Sequence, residues 1–299
     1  MIVGLLVAAL VAVTLAYGIM LLRAALKASQ IVPRAEAVLL GAVTNFFDTL
    51  GIGSFAPTIA WFRFRKLVPD RLIPLTMLAG YIVPSLLQGI IFMILLGVRV
   101  DPWLIVGCLV AMVAGGFVSI PIAAKCPIRL VQAIVGAALL LAAFFYALSN
   151  LGLMPAGGTA TSLPPLLMAG AIALHFLLGI LLAFGVGNYA PTLAVLSLMG
   201  MDPRLAFPIM ASAAGFAGAT AAARCLSLVK LDLKIAVGLT IGAIPAVLVA
   251  ALIVKEMPLE ILRWLVVVVV TYAGVTLLLS AARRTGAVPD EAAITAVAD

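Results

Sequence analysis

Charge is what this 299-residue sequence has least of: only 10% of its residues are Asp, Glu, Lys or Arg. A water-soluble domain carries about a quarter. With 66% hydrophobic residues and a mean hydropathy of +1.32, the polar residues cannot cover a fold in water. The chain therefore reads as a polytopic integral membrane protein. Cysteine is scarce too. Cys108, Cys126 and Cys225 are odd in number and far apart, which excludes a disulfide framework and any metal-ligand spacing; they read as small buried apolar residues. The sequence holds one histidine, His175, and no nucleophile–histidine–acid set, phosphate loop or paired intramembrane carboxylates, so neither an enzyme nor a cofactor is expected. In so apolar a chain the net charge of +7 points to cytoplasmic loops and not to nucleic acid.

Long apolar runs are what is there. Residues 2–22 form one, followed by Arg23, Lys27 and Arg34. Its uncharged start and its length favour a spanning helix over a cleaved signal peptide. Stretches at 72–97, 103–123, 129–149, 205–228, 234–254 and 260–281 each come close to the roughly 20 residues that a spanning helix needs. Two others, 36–64 and 165–199, are too long for one span and too short for two. The economical solution is a helical hairpin that enters halfway, turns, and leaves on the same side. A polar, uncharged loop follows at 150–163, and the small, acidic tail 285–299 is expected to be disordered.

Each of the two long stretches contains the same ten-residue pattern. Gly51-Ile52-Gly53-Ser54-Phe55-Ala56-Pro57-Thr58-Ile59-Ala60 returns as Gly185-Val186-Gly187-Asn188-Tyr189-Ala190-Pro191-Thr192-Leu193-Ala194, with six identities at an offset of 134. Pro74 and Pro208 repeat that offset, Asp101…Gly107 is echoed by Asp232…Gly238, and Pro127 by Pro258. With the first hairpin opening to the cytoplasm and the second to the outside, fourteen of the eighteen Lys and Arg residues fall inside; only Arg99, Arg204, Lys255 and Arg263 fall outside. The expected architecture is thus all-α, with seven full spans and two re-entrant hairpins arranged as an inverted repeat. Residues 1–34 are an additional helix and link, 35–150 repeat 1, 151–164 an extracytoplasmic linker, 165–284 repeat 2, and 285–299 the tail. The N-terminus lies outside and the C-terminus in the cytoplasm.

Irregular backbone at membrane depth is tolerated only when buried in protein or lining a cavity. Ser54 and Asn188 stand where a new helix begins and suit its N-cap, with Pro57 and Pro191 in the first turn. Two helix N-termini aimed at one point would hold an anion through backbone N–H groups without a buried Lys or Arg. The expected binding set is Gly51, Ile52, Gly53, Ser54 and Phe55 with Gly185, Val186, Gly187, Asn188 and Tyr189. The plainer reading of the small residues is close helix packing. Asp48, just before the first tip, reads as a structural hydrogen-bonding group or helix cap, or as the carrier of a coupling proton, with Asn45 and Thr49 beside it to hydrogen-bond it. Thr58, Thr192, Tyr81, Gln88 and Ser212 are candidate polar lining. His175 reads as a packing histidine before a ligand, and Arg224 as a residue snorkelling to the interface.

At Asn45-Phe46-Phe47-Asp48, Gly51-Ile52-Gly53, Ala56-Pro57-Thr58 and Gly185-Val186-Gly187-Asn188-Tyr189-Ala190-Pro191 the sequence resembles the TauE/SafE sulfite exporter family, over residues 36–283. The resemblance implies transport, typically export, of sulfur-containing anions: sulfite, thiosulfate or organosulfonates. The commoner family tip has a fuller glycine cluster, where this chain has Ser54 and Asn188, and residues 2–22 precede the repeat. A channel with twin half-helices and a non-transporting membrane scaffold are the alternative classes. The expected partners are the anion, H+ and membrane lipid.

Overall fold

The computed structural model describes residues 2–69, 72–96, 100–123, 127–153, 158–184, 186–228 and 230–282, and the expected tail lies outside that set. Eleven α-helices occupy it: α1 (Ile2–Lys27), α2 (Ala35–Thr49), α3 (Phe55–Arg65), α4 (Ile73–Leu95), α5 (Pro102–Ala123), α6 (Ile128–Asn150), α7 (Pro165–Leu181), α8 (Tyr189–Leu198), α9 (Ala206–Leu228), α10 (Leu233–Glu256) and α11 (Leu259–Ala282). Seven of them, α1, α4, α5, α6, α9, α10 and α11, are long and apolar enough to cross a membrane. The protein is therefore an all-α, multi-pass membrane protein.

Neither 36–64 nor 165–199 is a continuous rod. Helix α2 stops because Gly51 and Gly53 take φ of +97° and +92°, a left-handed region that side-chain-bearing residues rarely enter. The stop is a Schellman motif: Gly51 N–H donates to Asp48 O at 2.8 Å and Ile52 N–H to Phe47 O at 3.0 Å. After α7 a 3-10 turn at Leu182–Phe184 precedes the second break, where Val186 N–H donates to Leu181 O.

Both broken segments close at their ends. Trp61 Nε1 and Arg65 Nε, late in α3, donate to Glu36 Oε1 at 3.0 and 2.8 Å, so α3 brings the chain back beside the start of α2. Ala160, ahead of α7, accepts from Asp202 N–H and donates to Gly200 O, each at 3.1 Å, so the chain leaving α8 returns to the start of α7.

The remaining helices pack in pairs: α2 along α10, α5 along α7, α4 along α9 and α6 along α11, with α10 also against α4 and α5 against α9. Helix α1 lies on the flank against α4 and α9, where Tyr17 OH donates to Ala79 O at 2.9 Å. In lipid, burial of apolar surface does not drive helices together, so contact depends on close approach. A methyl group at Gly41 would run into the backbone of Leu239, and one at Gly242 into that of Val38. The α5–α7 pair does the same through Gly115 on Phe176 and Gly179 on Met112. Helices α5 and α10 also begin alike. Asp101 Oδ1 accepts Trp103 N–H at 2.8 Å and Asp232 Oδ1 accepts Lys234 N–H at 3.1 Å, which is N-capping by a carboxylate.

Gly242→Val is expected to destabilise the fold by about 1–3 kcal/mol through overpacking. Gly18→Val, where an added Cβ meets nothing within 4 Å, should leave stability unchanged. Thermal unfolding in detergent compares the two; equal midpoints would contradict the packing account.

Candidate functional site

Many of the polar residues buried in this bundle, among them Asp48, Ser54, Gln88, Asn188 and Thr192, lie at or beside the two helix breaks. Asp48 is buried and carries the first connection: its Oδ1 accepts the backbone N–H of Ser54 at 2.8 Å across the glycine turn. Its Oδ2 accepts from Gln88 Nε2 of α4 at 3.0 Å. The other end of the same amide, Gln88 Oε1, accepts from Tyr189 OH at the first residue of α8, at 2.5 Å. One unbroken chain of hydrogen bonds therefore runs from the first helix break, through α4, to the second. Apolar contact brings the breaks together as well: a Cβ on Gly51 would sit 3.7 Å from Leu193 of α8 and 3.5 Å from Val269 of α11.

Asp48 thus occupies the N-terminal end of α3, where the helix dipole favours negative charge. Both of its oxygens accept, and no ion pair to it is found among the described residues. A carboxylate held by two donors in a site without a counter-cation can hold or release a proton there. It can also compete with any other anion for the same donors.

Several expectations need correction. Ser54 and Asn188 do occupy the N-cap positions of α3 and α8, but neither side chain caps its helix. The Asp48 carboxylate takes the Ser54 amide instead, and Asn188 Nδ2 donates to Met210 O of α9 at 2.9 Å. Asn45 and Thr49 do not bond Asp48. Asn45 Nδ2 donates to Gly41 O and Thr49 Oγ1 to Asn45 O, both within α2. The expected amide set is also reduced. Ile52, Ser54 and Val186 give their N–H groups to Phe47 O, Asp48 Oδ1 and Leu181 O. The first i→i−4 bonds of α3 and α8 come from Thr58 and Thr192, and the N–H groups of 55, 56, 189 and 190 precede them. At Gly53 and at Gly187 an added Cβ meets nothing within 4 Å, so both tips border open space. Gly185 lies outside the described residues, as does the side chain of Arg224.

The other candidates divide between the two breaks. Tyr81 OH lies 2.9 Å from Thr44 Oγ1 and 2.6 Å from Thr58 Oγ1, and its ring meets Phe55 edge-on at 6.4 Å; this group ties α2, α3 and α4 below the first tip. His175 does the corresponding work in the second hairpin, with Nδ1 on Ala171 O at 2.8 Å and Nε2 3.3 Å from Thr192 Oγ1. The packing reading of His175 fits these contacts. Ser212 is fully buried beside Gly89, the neighbour of Gln88, and its hydroxyl has no hydrogen-bond partner among the described residues. Sequence reasoning marked Gln88, Asp48 and Tyr189 separately but missed their connection, since partners 40 and 101 residues apart leave no local signal.

Comparison of the chain with protein-family models, with curated proteins and with solved structures returns no match.

Asp48→Leu would strand the Ser54 N–H and the Gln88 amide, at about 1–3 kcal/mol for each unsatisfied donor. Asp48→Asn keeps an acceptor oxygen and should lose less. Thermal unfolding in detergent distinguishes them, and a Leu variant as stable as the Asn variant would contradict the hydrogen-bond assignment.

Proposed function

We propose that this protein is a secondary transporter of small sulfur-containing anions such as sulfite, thiosulfate or organosulfonates, an exporter of the kind its resemblance to the TauE/SafE family implies. The observation that carries the proposal is the buried Asp48–Gln88–Tyr189 chain, which joins two interrupted helices inside a multi-pass bundle. Discontinuous helices meeting at depth are how many carriers build a site for an ion or an anion.

The pairing of helices supports an inverted repeat. Exchange α2 with α7, α3 with α8, α4 with α9, α5 with α10 and α6 with α11. The α2–α10 pair then becomes α7–α5, the α4–α10 pair becomes α9–α5, and α4–α9 and α6–α11 map onto themselves. Arm lengths favour re-entrant hairpins: α2, α3, α7 and α8 have 15, 11, 17 and 10 residues. At about 1.5 Å per residue none reaches the roughly 30 Å of a hydrocarbon core, and each hairpin closes at its base.

In this reading the guest anion binds at the open tip glycines, Gly53 and Gly187, and at the first-turn amides of α8, and the polar lining includes Ser212. Asp48 is the coupling group. While ionised it holds the donors of the first tip and repels the guest; once protonated it gives up at least one of them. Protonation and anion binding therefore favour each other. The site lies in the cell membrane, a bacterial inner membrane on this reading, with the N-terminus outside and the C-terminus in the cytoplasm.

Purified protein in liposomes is expected to move sulfite with saturation and counterflow. Tyr189→Phe should slow it about fivefold, the equivalent of one hydrogen bond of about 1 kcal/mol. For an organosulfonate, whose sulfonate does not titrate near neutral pH, Asp48→Asn should remove the dependence of flux on pH. Flux that never saturates would point to a channel. Absence of flux for sulfite, thiosulfate and an organosulfonate, relative to protein-free liposomes, would leave a scaffold role and overturn the proposal.

A further inference from the structure

The two halves differ in how their hairpins are covered: the second arm of one is enclosed and the second arm of the other is largely exposed. Helix α8 is held by α6, α9 and α11. Its Leu193 and Ala194 share a buried cluster with Leu139 and Ala143 of α6 and with Leu262 and Val266 of α11. Helix α3 packs chiefly on α4 and α2. Ser54 and Asn188 are buried alike, as are Thr58 and Thr192, but two other matched pairs of the ten-residue pattern have opposite environments. Pro191 and Ala194 are buried, whereas Pro57 and Ala60 are exposed. Phe55 is 52% exposed and Trp61 40%. The first six residues of the two arms do not explain this, since four of the six are identical; the arms diverge only beyond them, where α3 continues Trp61-Phe62-Arg63-Phe64-Arg65 and α8 continues Val195-Leu196-Ser197-Leu198.

We infer that the α6–α11 pair is the moving arm of the protein, that this structure is the state open on the α3 side, and that in the opposite state the same pair covers α3 and uncovers α8. The inference rests on the inverted-repeat reading above. In an inverted repeat the two end states exchange the environments of matching segments, so contacts seen on one half specify the missing contacts of the other. The pair is suited to move as a unit, since α6 and α11 meet closely at Gly136 and Gly274. Pro127 and Pro258, each standing just before its helix, set the register between them. Val266, which helps enclose α8, corresponds to Val135 of α6. Val135 is then expected to share a buried cluster with Ala60 of α3 in the other state. Arg63 and Arg65 lie late in α3, which on the charge layout places the open side in the cytoplasm.

The test uses the full chain with Cys108, Cys126 and Cys225 replaced by Ser, carrying Ala60→Cys or Ala194→Cys, in oriented vesicles treated with a membrane-impermeant maleimide. Ala60→Cys should react from the cytoplasmic side and Ala194→Cys should not. An imposed sulfite gradient should slow the first and speed the second, from outside, by about tenfold or more, since a minor conformer holds roughly 0.1–10% of molecules at rest. Sulfite flux with both reactivities constant, or changing in the same direction, would overturn the inference and leave the transporter reading intact. Ala60→Cys unreactive from both sides would overturn it as well. A vesicle with no sulfite flux would count against the transporter reading instead. The moving arm is then judged without substrate by oxidative cross-linking of Ala60→Cys with Val135→Cys: a cross-link supports it, and none, with Ala194→Cys and Val266→Cys cross-linking normally, overturns it.

Discussion

Peptide groups inside hydrocarbon have no water to bond, so every interruption of a helix there must find its partners within the protein. Much of this structure follows from meeting that demand twice. At the first break the Schellman turn satisfies the end of α2, and the carboxylate of Asp48 takes the amide that begins the next helix. That carboxylate is then itself a buried acceptor with a spare oxygen, which Gln88 of α4 satisfies. Gln88 in turn brings in Tyr189 at the second break. Satisfying one broken helix thus ties it to the other.

The frame that holds these breaks in register is built from small residues. Gly41, Gly242, Gly115 and Gly179 let backbones approach where any side chain would intrude, and the polar ties are few, such as Thr240 Oγ1 on Gly80 O at 2.7 Å. Helices held at so short a distance have dispersion contact along their whole length. The α2–α10 and α5–α7 pairs gain most from this. Each of them anchors the first arm of a hairpin, which leaves the second arms, α3 and α8, to differ in what covers them.

Covering is where the chemistry and the architecture meet. In the transporter proposed above, a guest held between helix N-termini would have to displace or neutralise the carboxylate already present at one of them, and to reach the site from one side at a time. Asp48 would meet the first requirement by taking a proton. The unequal environments of α3 and α8 bear on the second, because the α8 arm is enclosed by α6 and α11 while much of α3 stands open.

Composition alone was enough to establish a multi-pass helical membrane protein, because no arrangement of so few charged residues could cover this chain in water. Hydrophobic run length located the seven long helices within a few residues, and the paired glycines marked both breaks; at the first, Gly51 and Gly53 take a φ that only glycine enters without strain. The candidate site was legible only as a set of residue types. Asp48, Gln88 and Tyr189 stood out as polar groups in apolar sequence, yet which of them touch is a matter of helix rotation and depth, and those are determined by packing between segments far apart in the chain. The cap shows the same limit: Ser54 stands at the N-cap of α3 without capping it, Pro57 at N3 has no N–H to give, and the Ser54 amide goes to a carboxylate six residues earlier that the glycine turn folds back. Periodicity and composition therefore decided what lies in the membrane and where it breaks, while tertiary contact alone decided what meets at the breaks and which half of the molecule is closed.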